Sequence, residues 1–212
     1  MTDDVLFYND LGRQGKSTLA YNYFDYQKRR GISPKYVTND MENISFPVKK
    51  LVGEDNLVSV AAGEEISIDT DDHNIFDFGG YLDSRVVDVA GFVKCVIVPI
   101  TYISNSELKI TVKTIKALMD YNQNIVVVFN KTKRQKVNRG KEMLNLLFEA
   151  YEIDTRHVKI LVVNDSEYMT RLSDIEQSIF DVADAKKGDK AQLEKSVIPQ
   201  LNELFTTLNK EV

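Results

Sequence analysis

The chain has 212 residues, 43% of them hydrophobic, and a formal net charge of −5. That length supports one substantial α/β domain and is short for two; the acidic balance excludes a surface coated throughout for nucleic acid but leaves a local basic patch open. One cysteine excludes an intrachain disulfide and fits a reducing compartment, and two histidines scattered along the chain make no zinc site with it.

The start, MTDDVLFYND, lacks the basic end and apolar run of a signal peptide. VLFYN (5–9) then reads as a strand, and residues 16–30 as a helix closed by Gly31 and the Ser33-Pro34 pair. KYVTN (35–39), LVSV (57–60) and NIFDF (74–78) are further strands. The most apolar stretch, 86–100, is interrupted by Asp88 and Lys94, so it is no membrane span; its end, KCVIVPI (94–100), is a strand. A helix over 106–121 carries Leu108, Val112, Ile115 and Leu118 on one face. NIVVVFN (124–130) and VKILVVN (158–164) complete seven strands, with helices expected over 141–151 and 175–183. DAKKGDKAQ (184–192) is the best linker candidate. The last helix, within 191–208, carries Leu193, Val197, Leu201, Leu204 and Leu208 on one stripe, with Pro199 starting or kinking a segment. Most strands are apolar on both faces, as in a parallel sheet covered on each side. The expectation is a soluble cytoplasmic α/β protein with a doubly wound, mostly parallel sheet. It forms a single domain over 1–212, with 191–212 a C-terminal helix docked on it.

Chemistry concentrates at VLFYNDLGRQGKSTLAYNYF (5–24). A phosphate loop needs a strand end, backbone N–H groups turned around phosphate oxygens, and a helix N-terminus aimed at them. Gly15 allows close backbone approach, Lys16 supplies a point charge for β- and γ-phosphates, and Ser17 offers a hydroxyl to Mg²⁺. The bland alternative is an ordinary strand–helix turn with a solvated lysine. NIFDFGGYLDSR (74–85) delivers Asp77 at a strand end, where a carboxylate can hold Mg²⁺ directly or through water, and Gly79-Gly80 permits a mobile turn.

With Leu11-Gly12-Arg13-Gln14-Gly15-Lys16-Ser17-Thr18 aligned on its glycine–lysine–serine, the chain resembles the ParA/MinD superfamily of P-loop ATPases and their variant Walker A loop. Gly12 matches the first family glycine. Leu11 stands where the family has its signature lysine, and Arg13 where the second glycine belongs; plasmid-stability proteins of the StbB type also have a loosened loop. The resemblance implies a P-loop NTPase fold, ATP and Mg²⁺ as cofactors, and nucleotide contacts from Gly12, Arg13, Gln14, Gly15, Lys16, Ser17 and Thr18. It makes 74–85 the Walker B and switch II segment, with Asp77 on the metal. It makes Asp40, in YVTNDMEN (36–43), a switch I aspartate placing water, where an exposed capping Asp is the alternative. It implies that Asn130 reads adenine, where a strand-ending turn residue is the alternative. The run NKTK also approaches the guanine-reading Asn-Lys-x-Asp motif. Its fourth residue is Lys133, and a lysine cannot accept the guanine N–H groups.

From residue 131 to 141 the chain reads KTKRQKVNRGK, with Lys133, Arg134, Lys136 and Arg139 and no acid. This reads as a loop leading into a helix, either merely solvated or tracking DNA phosphates without sequence preference. The polar face of the last helix has no basic excess, so docking on the domain is expected rather than membrane binding. The resemblance thus implies a partner-stimulated ATPase that dimerises on ATP and acts with a partition protein in plasmid or DNA partition, with association to the nucleoid. Two other readings stay open: an ATP-dependent ligase of the dethiobiotin-synthetase type, and a nucleotide-binding adaptor without hydrolysis, which Leu11 favours.

Overall fold

The computed structural model describes residues 3–40, 46–61, 63–66, 73–79, 84–164, 168–169, 172, 177–185 and 187–210, without the side chains of 46, 47 and 187–189. Among these residues the strands are β1 (Val5–Phe7), β2 (Lys35–Thr38), β3 (Leu57–Ser59), β4 (Asn74–Asp77), β5 (Cys95–Ile100), β6 (Ile125–Thr132) and β7 (Val158–Asn164). The helices are α1 (Lys16–Arg29), α2 (Phe46–Val52), α3 (Arg85–Phe92), α4 (Asn105–Met119), α5 (Arg134–Ala150), α6 (Ile179–Ala185), α7 (Lys187–Leu193) and α8 (Val197–Asn209). All seven strands run parallel in the order β3-β2-β4-β1-β5-β6-β7.

Two apolar layers cover the sheet. On one face Leu19, Tyr23 and Phe24 of α1, Val48 of α2 and Leu201, Leu204 and Phe205 of α8 pack on Val5, Phe7 and Ile97. On the other, Val86 and Val89 of α3, Leu108, Val112 and Ile115 of α4 and Leu144 and Phe148 of α5 pack on Leu6, Val96 and Val127. Connections stepping toward β3 thus cross one face and those stepping toward β7 the other, as crossovers of a single hand require. The inner strands are buried on both sides, which is why they read as continuous apolar runs. Cys95 lies in this core, and burial pushes its thiol up to about 12.

Two expectations need correction, and helix α3 had no counterpart in the sequence reading. The basic run 131–141 is not a loop before a helix: it finishes β6 and forms the first two turns of α5, which begins at Arg134. Val137 and Gly140 extend the buried stripe of α5 backwards, and a Cβ on Gly140 would lie 2.7 Å from Phe129 Cε1, so the helix meets the sheet too closely there for a side chain. The apolar stretch 86–100 holds helix α3 as well as β5. The linker candidate 184–192 falls on α6 and α7, with residue 186 outside the described residues; Arg29 ties α6 to α1 through ion pairs to Asp181 and Asp184.

Candidate phosphate-binding site

Strand register assembles the site. Phe7 pairs with Asp77, and Asp77 with Thr38, so β1, β4 and β2 end level and their following loops emerge side by side. This is the carboxyl edge of the sheet at β1, where helices of successive units leave for opposite faces, the place where open α/β sheets take ligands.

The loop after β1 is braced from beneath. Asn9 is fully buried; its amide donates to Pro99 O (2.8 Å) and Thr111 Oγ1 (3.1 Å), and its Oδ1 accepts the Leu11 N–H (2.9 Å). Gln14 accepts the Thr101 N–H on its Oε1 (2.6 Å) and donates to Gly12 O (3.3 Å). Arg13 and Gly15 both have left-handed backbones, φ 62° and 85°. Arg13 therefore occupies a conformation suited to glycine, at a cost of about 1–2 kcal/mol. Gly15 caps α1, and a Cβ there would sit 2.1 Å from Asn130 Nδ2.

Lys16 donates to the carbonyls of Asn9 (3.2 Å) and Leu11 (3.0 Å) across this loop. Burial lowers its pKa, opposed by the charges of Asp77, Asp40 and Asp10. Ser17, one residue on, is exposed and lies close enough to Asp77 for its hydroxyl to favour the ionised carboxylate. Burial raises the Asp77 carboxyl, while the hydroxyls of Ser17 and Tyr36 and the charge of Lys16 pull it back down; the Tyr36 hydroxyl donates at 2.7 Å. The loop after β2 closes the group: Asn39 Oδ1 accepts the Gly79 N–H (2.7 Å), and Asp40 Cβ lies 3.6 Å from the position of a Cβ on Gly79. Gly80 lies outside the described residues.

The fold thus brings Lys16, Ser17, Asp40 and Asp77 together. A hydroxyl and a carboxylate beside each other are hard oxygen donors of the kind Mg²⁺ takes from a protein when phosphates and waters supply the rest. Gly12 and Arg13 are exposed on the loop, and Thr18 is half-buried in the first turn of α1. Asn130, for which the resemblance implies adenine reading, has a side chain that is 0% exposed, and its amide donates to Gln14 O (2.9 Å). It props the loop from the sheet side, and its Oδ1 is buried without a partner among the described residues. Lys133, Arg134, Lys136 and Arg139 are exposed at the start of α5, away from this constellation in sequence but on one helix end. Sequence reasoning passed over Asn9, Tyr36 and Asn39. The one signal for them was a polar residue within or at the end of an otherwise apolar strand.

No protein-family model and no curated protein sequence matches the chain. Among solved structures it resembles the MinD cell division protein of Aquifex aeolicus, with a TM-score of 0.60 over 96% of this chain and 97% of that one at 14% identity. It also resembles the MinC:MinD cell division protein complex of the same organism, with a TM-score of 0.59 over 84% and 88% at 14% identity. At that identity the likeness concerns the fold: the chain is a doubly wound α/β protein, with its glycine–lysine–serine loop following the central strand β1.

Proposed function

We propose that the chain is a Mg-ATP-dependent switch ATPase of the ParA/MinD kind, acting in the partition or positioning of DNA, plasmid DNA in particular. The observation that carries this reading is the convergence of Lys16, Ser17 and Asp77 from two adjacent strand ends, with Asp40 beside them. Lys16 neutralises phosphate oxygens, Ser17 and Asp77 hold the metal, and Asp40 orients the attacking water. Magnesium, when bound, screens the phosphate charge. Phosphoryl transfer needs positioning and charge neutralisation more than a strong base, so no histidine or cysteine is required. The Asn39–Gly79 hydrogen bond links the two loops that would sense the γ-phosphate, giving ATP a way to set their shape and with it a dimer surface. The solved MinC:MinD complex supports a partner protein for this chain too. Among the described residues no helix is long and apolar enough to cross a membrane.

Lys16→Ala tests the site: calorimetric titration should lose the Mg-ATP signal while far-UV dichroism stays unchanged, and an unaltered affinity overturns the assignment. ATP turnover with and without nonspecific DNA then tests the switch. Stimulation by DNA is expected. Stimulation by a small carboxylate instead identifies a ligase, and binding without turnover under every condition identifies an adaptor.

A further inference from the structure

A second concave site lies on the far side of the phosphate loop. A cavity of about 360 Å³ opens between α3 and α4 beside the end of β1. Among the described residues its walls are apolar, with Val86, Ala117 and Leu118 prominent, and its polar end is Asp10 with Tyr8 and Thr114. That volume lies within the usual range for small-molecule pockets, which are mostly apolar with a few placed polar groups. The Tyr8 hydroxyl donates to Asp10 Oδ1 (2.5 Å) and the Thr114 hydroxyl to Oδ2 (2.6 Å). Tyr8 and Thr114 are themselves buried, so the carboxylate is held in one orientation. Each of its oxygens has one hydroxyl donor among the described residues and keeps a lone pair for another.

We infer that this cavity is a ligand site for a compact organic amine, the ammonium on Asp10 and the apolar body against α3 and α4. Among the described residues the single charged group in the cavity wall is an acceptor, which selects a cation or a donor over an anion. The volume exceeds what one lysine side chain fills, which favours a small molecule over a basic residue of a partner protein. Asp10 precedes Leu11, whose carbonyl receives Lys16, so the amine would bind one residue away from the nucleotide loop. The inference rests on the cavity and not on the nucleotide reading.

Ligand-observed NMR with phenethylamine, 2-phenylethanol and phenylacetate tests it. The amine should bind, the alcohol at least about tenfold more weakly and the carboxylate not at all, since a hydrogen bond to a charged partner is worth a tenfold or more. Asp10→Asn should weaken the amine by a similar factor. Ala117→Phe, which fills the cavity from an exposed position on α4, should abolish binding of amine and alcohol alike. Lys16→Ala removes a cation that acts on Asp10 and should not weaken amine binding, which separates this site from the nucleotide assignment. Absence of amine binding, equal affinity for the alcohol, or indifference to both cavity variants overturns the inference. An oligolysine peptide that binds where phenethylamine does not overturns it in favour of a basic segment of a partner.

Discussion

Gly15→Ala probes the contact that shapes the phosphate loop. The new methyl would lie 2.1 Å from Asn130 Nδ2, well inside any real contact, and Asn130 is fully buried with nowhere to turn. The backbone at φ 85° adds about 1–2 kcal/mol for a residue with a Cβ. Displacing the Asn130 amide also forfeits its bond to Gln14 O, worth about 0.5–1.5 kcal/mol. The single substitution should therefore cost roughly 2–3 kcal/mol in urea unfolding. Asn130→Ala alone should cost about 1 kcal/mol, because it removes one donor together with an oxygen that is already unpaired. In the double variant the clash is gone, and only the backbone penalty adds to the loss of the Asn130 bond. The two effects should fall short of additivity by about 1 kcal/mol or more, within the range seen for residues in contact. Strict additivity across the four proteins would refute the account of Asn130 as the prop beneath Gly15.

Arg13→Gly should raise stability by about 1 kcal/mol, since it relieves a left-handed arginine; if Arg13 supplies the charge that Leu11 cannot, it should also lower ATP turnover and dimerisation, and unchanged values for both dismiss that compensation. For Asp77, folding raises the pKa, so the native state binds more protons than the unfolded chain between the two pKa values, and stability falls as pH climbs from about 4 through the folded value. Asp77→Asn should accordingly gain on wild type in urea midpoints as pH rises while losing metal-dependent ATP binding; a wild type that gains on the variant over the same pH series contradicts the burial argument. Reversing Arg134 and Lys136 to glutamate should weaken DNA binding and flatten its salt dependence, by a log–log slope of about 0.9 for each phosphate no longer neutralised. Identical salt titrations for mutant and wild type place any DNA surface elsewhere.

The sheet was legible because burial on both faces leaves long apolar runs, and all seven runs form strands. The stripes Leu108-Val112-Ile115-Leu118 and Leu193-Val197-Leu201-Leu204-Leu208 are buried as their spacing predicts. Helix α5 was truncated in the sequence reading because its first two turns are almost wholly polar. Four cations stand there against the positive end of the helix dipole with no acid in the first turn, so neither capping nor charge announces a start. Helix α3 was hidden because its apolar residues run into those of β5 without a proline or a turn cluster between them. At the site, the glycine–lysine–serine and Asp77 were readable as motifs. The role of Asn130 was not, because its partner Gln14 lies 116 residues away and only the fold makes them neighbours. The same holds for Tyr36, whose hydroxyl reaches Asp77 across two adjacent strands.

The charges around Lys16 bear on why a nucleotide would need metal here. The lysine feels three carboxylates, Asp77, Asp40 and Asp10, so the loop floor is anionic by two charges when all four groups are ionised. Such a floor would repel a bare triphosphate. Burial favours loss of the lysine's proton, but that loss would only deepen the negative charge. Asp77 is the carboxylate that can yield: its pKa is already raised, the Tyr36 hydroxyl donates to it, and Ser17 stands beside it. On the proposed reading, then, a divalent cation both restores charge balance and competes for the Ser17–Asp77 contact. That contact joins the first turn of α1 to the end of β4, two residues before Gly79 and its bond to Asn39. A metal taken up between Ser17 and Asp77 would thus be felt at once in the loops after β1, β2 and β4, because strand register has placed them within reach of each other.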